Sequence, residues 1–358
     1  MRIRTISLIA LLALIAAACG GDAESTTTST PLETTTPAPE AVVLSYSLEA
    51  GTTYQYEVDM DQTIDLTSTG DTTAMGEGEI PGEASINIQG TSVFAYTVSD
   101  GPEPGTFEIE IVGDFSDLEF GGTVDGESVD SSEIPEMAEI EPVDVTIVVD
   151  EQGNVIPDDS SGLGEDFLGG LGGLDMLDQF GAAAGTSQFV GPPLSEDEVT
   201  IGDTWSETIE VPTMPGVEPV TTQVENEVVG TDTIEGSEVF VIETTTTTGA
   251  VEFDLAEFLI GFMSSFMPEG ATDEEQAQLD AIIDDLRFVF SIDETVSDMT
   301  SWFDPEAGLS RQTELASDTH MVMDVNIPDE TTGEMVEFAM DMNLSQQITY
   351  RLTDSGGA

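Results

Sequence analysis

Leu44-Ser45-Tyr46-Ser47-Leu48-Glu49-Ala50-Gly51-Thr52-Thr53-Tyr54-Gln55-Tyr56-Glu57-Val58-Asp59-Met60 alternates apolar and polar side chains at almost every step. Successive side chains of an extended chain point to opposite faces, so Leu44, Tyr46 and Leu48 share one face, and Tyr54, Tyr56, Val58 and Met60 share another. Gly51 interrupts the run, and the two stretches read as a hairpin. The same period recurs at Ile86/Ile88, Phe94/Tyr96/Val98, Phe107/Ile109/Ile111 and Val143/Val145/Ile147/Val149. Polar residues at every second position imply an antiparallel sheet with one wet face. Asp150-Glu151-Gln152-Gly153-Asn154 then reads as a turn.

Strand patterns resume near Thr200 and continue through Ile209/Val211, Val220/Thr222/Val224 and Val239/Val241. The run Thr244 to Thr248 suits a strand because β-branched side chains fit a pleated surface. Later alternations lie at Met321/Met323/Val325/Ile327, Phe338/Met340/Met342/Leu344 and Ile348/Tyr350/Leu352, after a turn at Asp304-Pro305-Glu306-Ala307-Gly308. Two starts of the form Gly-x-Thr-aromatic, Gly51 to Tyr54 and Gly202 to Trp205, hint at duplicated halves.

Two segments leave the period of two. In residues 160–180, Leu163, Phe167, Leu171, Leu174 and Leu177 fall at helical spacing among six glycines that weaken a helix. In residues 254–287, Leu255, Leu259, Phe262, Met263 and Phe266 line one helical face. Thr272-Asp273-Glu274-Glu275 then caps a second stripe through Leu279, Ile282, Ile283 and Leu286. The expected fold class is therefore α+β, mainly β: one large curved antiparallel sheet with a helical hairpin against one face. Phe258, Phe262, Met263 and Phe266 are the candidate contacts for an apolar ligand beneath that hairpin, since Phe and Met adapt to flexible partners.

The chain opens like an export signal. Arg2 and Arg4 precede an apolar run from Ile6 to Ala17, and Ala16-Ala17-Ala18 supply small residues before Cys19, the one cysteine. Ala-Ala-Ala-Cys resembles the bacterial lipobox, which implies removal of residues 1–18 and acylation of Cys19. Residues 19–41 are rich in Thr, Pro and Ser and read as a lipidated tether, leaving residues 42–353 as a single sheet-rich domain. Two or more acyl chains make anchoring stable, so the expected location is a cell membrane, facing outward.

Charge narrows the partners. The chain has 5 Lys+Arg against 73 Asp+Glu, a net charge of −68. With the signal removed, Arg287, Arg311 and Arg351 are the basic residues left, and there is no lysine. Such a surface repels nucleic acid and offers no basic patch to anionic lipid. It reads as a solvating coat rather than a calcium site, because no loop carries the D-x-[DN]-x-[DN]-G spacing.

From residue 44 to 352 the chain resembles a family of bacterial exported proteins that carries a domain of unknown function. Leu44 to Tyr56, Ile201-Gly202-Asp203-Thr204-Trp205, and Phe303-Asp304-Pro305-Glu306-Ala307-Gly308-Leu309 carry the likeness. It implies an exported, sheet-rich domain and supplies no activity or site residues. A lipid anchor, a long antiparallel sheet and an apolar helical hairpin also resemble, in architecture, periplasmic lipoprotein carriers whose curved sheet cups a lipid.

Catalytic signatures are weak. His320 is the one histidine and has no cysteine beside it, which argues against a catalytic zinc. Asp354-Ser355-Gly356-Gly357 echoes a protease nucleophile motif but reads as a frayed tail. No Gly-x-Ser-x-Gly elbow, phosphate loop or dinucleotide fingerprint occurs. The expected function is non-catalytic: no enzyme, no cofactor, no metal site, with an apolar small molecule or an envelope protein as partner. An envelope interaction module is the alternative, and a hydrolase using a carboxylate pair stands a distant third.

Overall fold

A computed structural model describes residues 41–70, 81–114, 117–130, 143–154, 156, 191–211, 219–254, 287–328 and 335–357. Every regular element among them is a β-strand. The first half contains β1 (Val42–Val43), β2 (Thr52–Gly70), β3 (Glu83–Asp100), β4 (Thr106–Asp114), β5 (Glu119–Val124), β6 (Glu127–Asp130) and β7 (Val143–Asp150). The second contains β8 (Glu198–Val199), β9 (Thr204–Val211), β10 (Val220–Ile234), β11 (Ser237–Thr248), β12 (Val251–Asp254), β13 (Arg287–Ile292), β14 (Thr295–Asp304), β15 (Leu309–Pro328) and β16 (Met335–Gly357).

Fourteen of these strands make one antiparallel sheet that forks. Strand β3 pairs with β5 through residues 84–89 and with β4 through residues 93–100. Strand β15 pairs likewise with β14 up to Ser317 and with β13 from Met321 onward. The near arm therefore runs β7-β4-β3-β2-β16-β15-β14-β11-β10-β9, and the far arm runs β6-β5-β3-β2-β16-β15-β13-β12. β2, β3, β15 and β16 belong to both, which accounts for their length of 18 to 23 residues, well beyond the usual strand of roughly 5–6. Their alternation persists throughout: buried Ile64 and Leu66 on β2, or Met342, Leu344, Gln346 and Ile348 on β16, with exposed residues between them.

The two Gly-x-Thr-aromatic starts head strand sets of similar order in the near arm. Strands β2-β3-β4-β7 and β9-β10-β11-β14 lie side by side in the same order, and each set starts after a left-handed glycine, Gly51 or Gly202. Each set ends in a turn anchored by an aspartate, although the two turns differ in spacing. Asp150 accepts hydrogen bonds from the amides of Gln152 and Asn154, and Asp304 from those of Glu306 and Ala307. Gly153 and Gly308, both at positive φ, let the two turns press onto Tyr46 and Ser47, where a Cβ would overlap them.

That contact explains why the stretch from Leu44 to Leu48 is not half of a hairpin. It is extended but unpaired as a strand, apart from the short β1–β8 contact of Val42 and Val43 with Val199 and Glu198. The Tyr46 amide donates to the Glu151 carbonyl and the Ser47 amide to the Gly308 carbonyl, so the segment straps the two turns together. Leu44 and Tyr46 are buried among Leu194, Val228, Phe240, Ile242 and Phe303. Period two is a property of extended chain, and strap and strand share it.

The expected helical hairpin over residues 254–287 is overturned. Asp254 ends β12, opposite Val289, and Arg287 opens β13, opposite Asn326. No helix occurs among the described residues; residues 255–286 and 160–180 lie outside them. The fold class is mainly β, not α+β. Local apolar spacing at Leu255 to Phe266 carries no information about the ladder with β15 that fixes the flanks of this segment. The tail is corrected too: Asp354 to Gly357 is the last part of β16 and pairs with Gln55 to Thr52.

Candidate functional site

Of the residues singled out in the sequence, Cys19, Phe258, Phe262, Met263 and Phe266 lie outside the described residues. The fold instead brings together a site on the inner face of the far arm. Its rows follow from the register. Ile86, Ile64, Leu344 and Thr319 stand opposite one another across β3, β2, β16 and β15. One row further out come Ala84, Leu66, Met342, Met321 and Ile292. Next come Ser68, Met340, Met323 and Phe290, and then Phe338 with Val325.

Met321 faces Met342 and Met323 faces Met340, so four methionines form a square across β15 and β16. Directly opposed antiparallel residues have Cβ atoms about 4.5–5.5 Å apart, which puts these thioethers in contact range. Met321 and Met342 are 2% and 4% exposed, while Met323 and Met340 are half-buried. Unbranched, polarisable methionine fits irregular shapes, whereas Leu, Ile and Val specify one packing. The signal was present in the sequence as two Met-x-Met repeats, but their juxtaposition depends on the β15–β16 register.

A polar belt separates this floor from the near arm. Gln62, Gln346, Ser317 and Ser297 form one row across β2, β16, β15 and β14. All are buried, and the Gln346 amide donates to the Ser317 hydroxyl at 2.7 Å. On the floor side of the belt, the Thr319 hydroxyl is buried and has no hydrogen-bond partner.

Across the belt the near arm is packed. All five tyrosines gather there: Tyr46, Tyr54, Tyr56, Tyr96 and Tyr350. Tyr46 stacks edge-on against Phe303 at 5.4 Å, and Tyr56 against Tyr96 at 4.9 Å. Burial drives the ionisation of Tyr46, Tyr56, Tyr96 and Tyr350 far above the ordinary phenol value. The cavity between Tyr46, Tyr54, Tyr56 and Tyr96 measures about 20 Å³, room for about one water molecule.

His320 sits on the outer face at the fork of the sheet, where β15 passes from β14 to β13. Its Nδ1 lies 2.7 Å from an Asp293 carboxylate oxygen and its Nε2 lies 3.2 Å from Asp341. The Asp293 amide also donates to the His320 carbonyl. Hydrogen bonding to Asp293, opposed by partial burial and reinforced by Asp341, raises the imidazole above its ordinary 6.5. A raised folded value means that the pairing stabilises fully below about 6.5 and is lost as pH rises through the folded value. Asp293→Asn should therefore lower the melting temperature in mildly acidic buffer, with the deficit vanishing at alkaline pH. An NMR titration of His320 with its midpoint at or below 6.5 would show that the clasp does not form. No group of three or more His, Cys, Asp or Glu side chains among the described residues is arranged to hold a metal ion.

The chain matches no protein-family model and no curated protein sequence. The family resemblance of its three motifs thus has no family match behind it. Solved structures give distant likenesses. A lipovitellin structure describing lipid–protein interactions aligns at 9% identity and a TM-score of 0.32, covering 87% of this chain and 26% of that one. The chain thus spans about a quarter of the lipovitellin chain's length. An outer membrane channel from Pseudomonas putida F1 aligns at 6% identity and a TM-score of 0.20, covering 86% of this chain and 97% of that one. OccK7 (OpdD) of Pseudomonas aeruginosa aligns at 6% identity and a TM-score of 0.17, over 85% and 99% of the two chains. At this distance they are loose likenesses among sheet proteins and fix neither ligand nor activity.

Proposed function

We propose that this protein is a non-catalytic, outward-facing binding protein, anchored to a membrane by lipid on Cys19, that holds an apolar ligand against the methionine floor of the far arm. The methionine square carries the reading. Four adaptable side chains occupy the middle of an apolar inner face, where a fixed core would use branched aliphatics. The tyrosine cluster of the near arm, by contrast, leaves between its rings a space of only about 20 Å³, about one water molecule. Anchoring would keep such a protein beside a supply of apolar molecules.

Native mass spectrometry of the full chain purified without detergent tests this. An apolar molecule should co-purify, and Met323→Glu with Met340→Glu, at the two half-buried corners, should reduce uptake of a fluorescent alkane by at least about tenfold. Uptake unchanged in that variant would remove the floor as the contact surface. With no apolar ligand at all, the packed tyrosine arm favours the reading as an envelope interaction module.

A further inference from the structure

We propose that the far arm receives an uncharged ester lipid, with its hydrocarbon on the methionine floor and its ester oxygens at Thr319 and the Gln346–Ser317 pair. This rests on the apolar-ligand reading and adds the class of head group. Thr319 is 4% exposed, and its hydroxyl makes no hydrogen bond within the protein. Leaving a buried hydroxyl unsatisfied costs roughly 1–3 kcal/mol, and such groups are rare in native interiors. Thr319 lies one inner-face position from Ser317 and one from Met321 along β15. It therefore stands where the polar belt meets the apolar floor, which is where the boundary between head and tail of an amphipathic molecule would rest. The hydroxyl can donate to an ester carbonyl, and the belt beside it is made of amides and hydroxyls without a charged group.

The charge of the head follows by accounting for every cation in the chain. There is no lysine. Arg311 is committed to Asp304 at 2.9 Å, beside the turn that opens β15. Arg351 pairs with Asp59 on the outer face, and Arg287 is exposed at the start of β13. His320 points outward into its two aspartates. Arg2 and Arg4 belong to the signal stretch. A phosphate or carboxylate head placed at Thr319 would be desolvated with no counter-charge, inside a chain of net charge −68. A neutral ester head escapes that penalty and still satisfies the hydroxyl.

The test uses the full chain and three fluorescent probes: a diacylglycerol, a phosphatidic acid with the same acyl chains, and an alkane without a head group. Diacylglycerol should bind at least about tenfold more tightly than phosphatidic acid. Thr319→Val, nearly the same shape, should weaken diacylglycerol about fivefold, the worth of one hydrogen bond, and leave the alkane unchanged. Phosphatidic acid binding as well as diacylglycerol would overturn the neutral-head assignment while the alkane still reports the floor. Thr319→Val without effect on diacylglycerol would overturn it too, the hydroxyl then being served by water. Failure of all three probes, the alkane included, would sink the apolar-ligand reading itself.

Discussion

Replacing Tyr46 by alanine should lower the unfolding free energy by about 3–5 kcal/mol, the range for truncating a large buried aromatic side chain. The ring is 2% exposed, packs edge-on against Phe303, and donates its hydroxyl to the Pro192 carbonyl at 2.9 Å. It also fills the space against Gly153 and Gly191, so the vacated volume is bounded by separate segments and cannot be closed by moving one of them. Tyr46→Phe separates the contributions: it removes only the hydrogen bond and should cost about 1 kcal/mol. Chemical denaturation of the two variants supplies both numbers. A loss under about 1 kcal/mol for Tyr46→Ala would mean that the strap from Leu44 to Leu48 is an accessory rather than part of the core.

Cys19→Ser should move the protein almost completely off the membrane, or leave an uncleaved precursor there. Serine offers no thiol for acylation, and no other cysteine exists to replace it. Each buried methylene of an acyl chain contributes about 0.8 kcal/mol, so loss of two or more chains abolishes stable anchoring. Fractionation followed by intact-mass measurement distinguishes released mature protein from retained precursor. Mature, membrane-bound Cys19→Ser protein would end the lipoprotein reading.

Most of the longer strands were legible because they carry their own periodic signal, whereas β5, β6, β12 and β13 were not. Phe94/Tyr96/Val98, Val143 to Val149 and Met321 to Ile327 all lie in strands, and the turns at Asp150 and Asp304 fall where Asx chemistry puts them. Pairing was not legible. Arg351 meets Asp59 across 292 residues of chain, and no local pattern carries that information. The methionine square suffered for the same reason: Met321 and Met342 are recognisable as strand residues, but their opposition is a matter of register. The strap from Leu44 to Leu48 was misread because an unpaired extended segment alternates as a strand does. The helical reading of residues 254–287 failed at its ends, Asp254 and Arg287, where ladders to β13 and β15 override local spacing. Thr319, the residue on which the head-group assignment turns, has no sequence signal at all; its lack of a partner is a property of the assembled sheet.

The position of β16 bears on how the molecule can be built. It follows every other strand in the chain, yet it lies between β2 and β15 and is shared by both arms. The first half therefore cannot hand its open β2 edge to the second until residues 335–357 are present. Closing such long-range pairs last is entropically slow, and waiting strand edges invite mispairing. The join between the two halves is thus the last pairing the chain can make, whatever the order in which the hairpins of each half form.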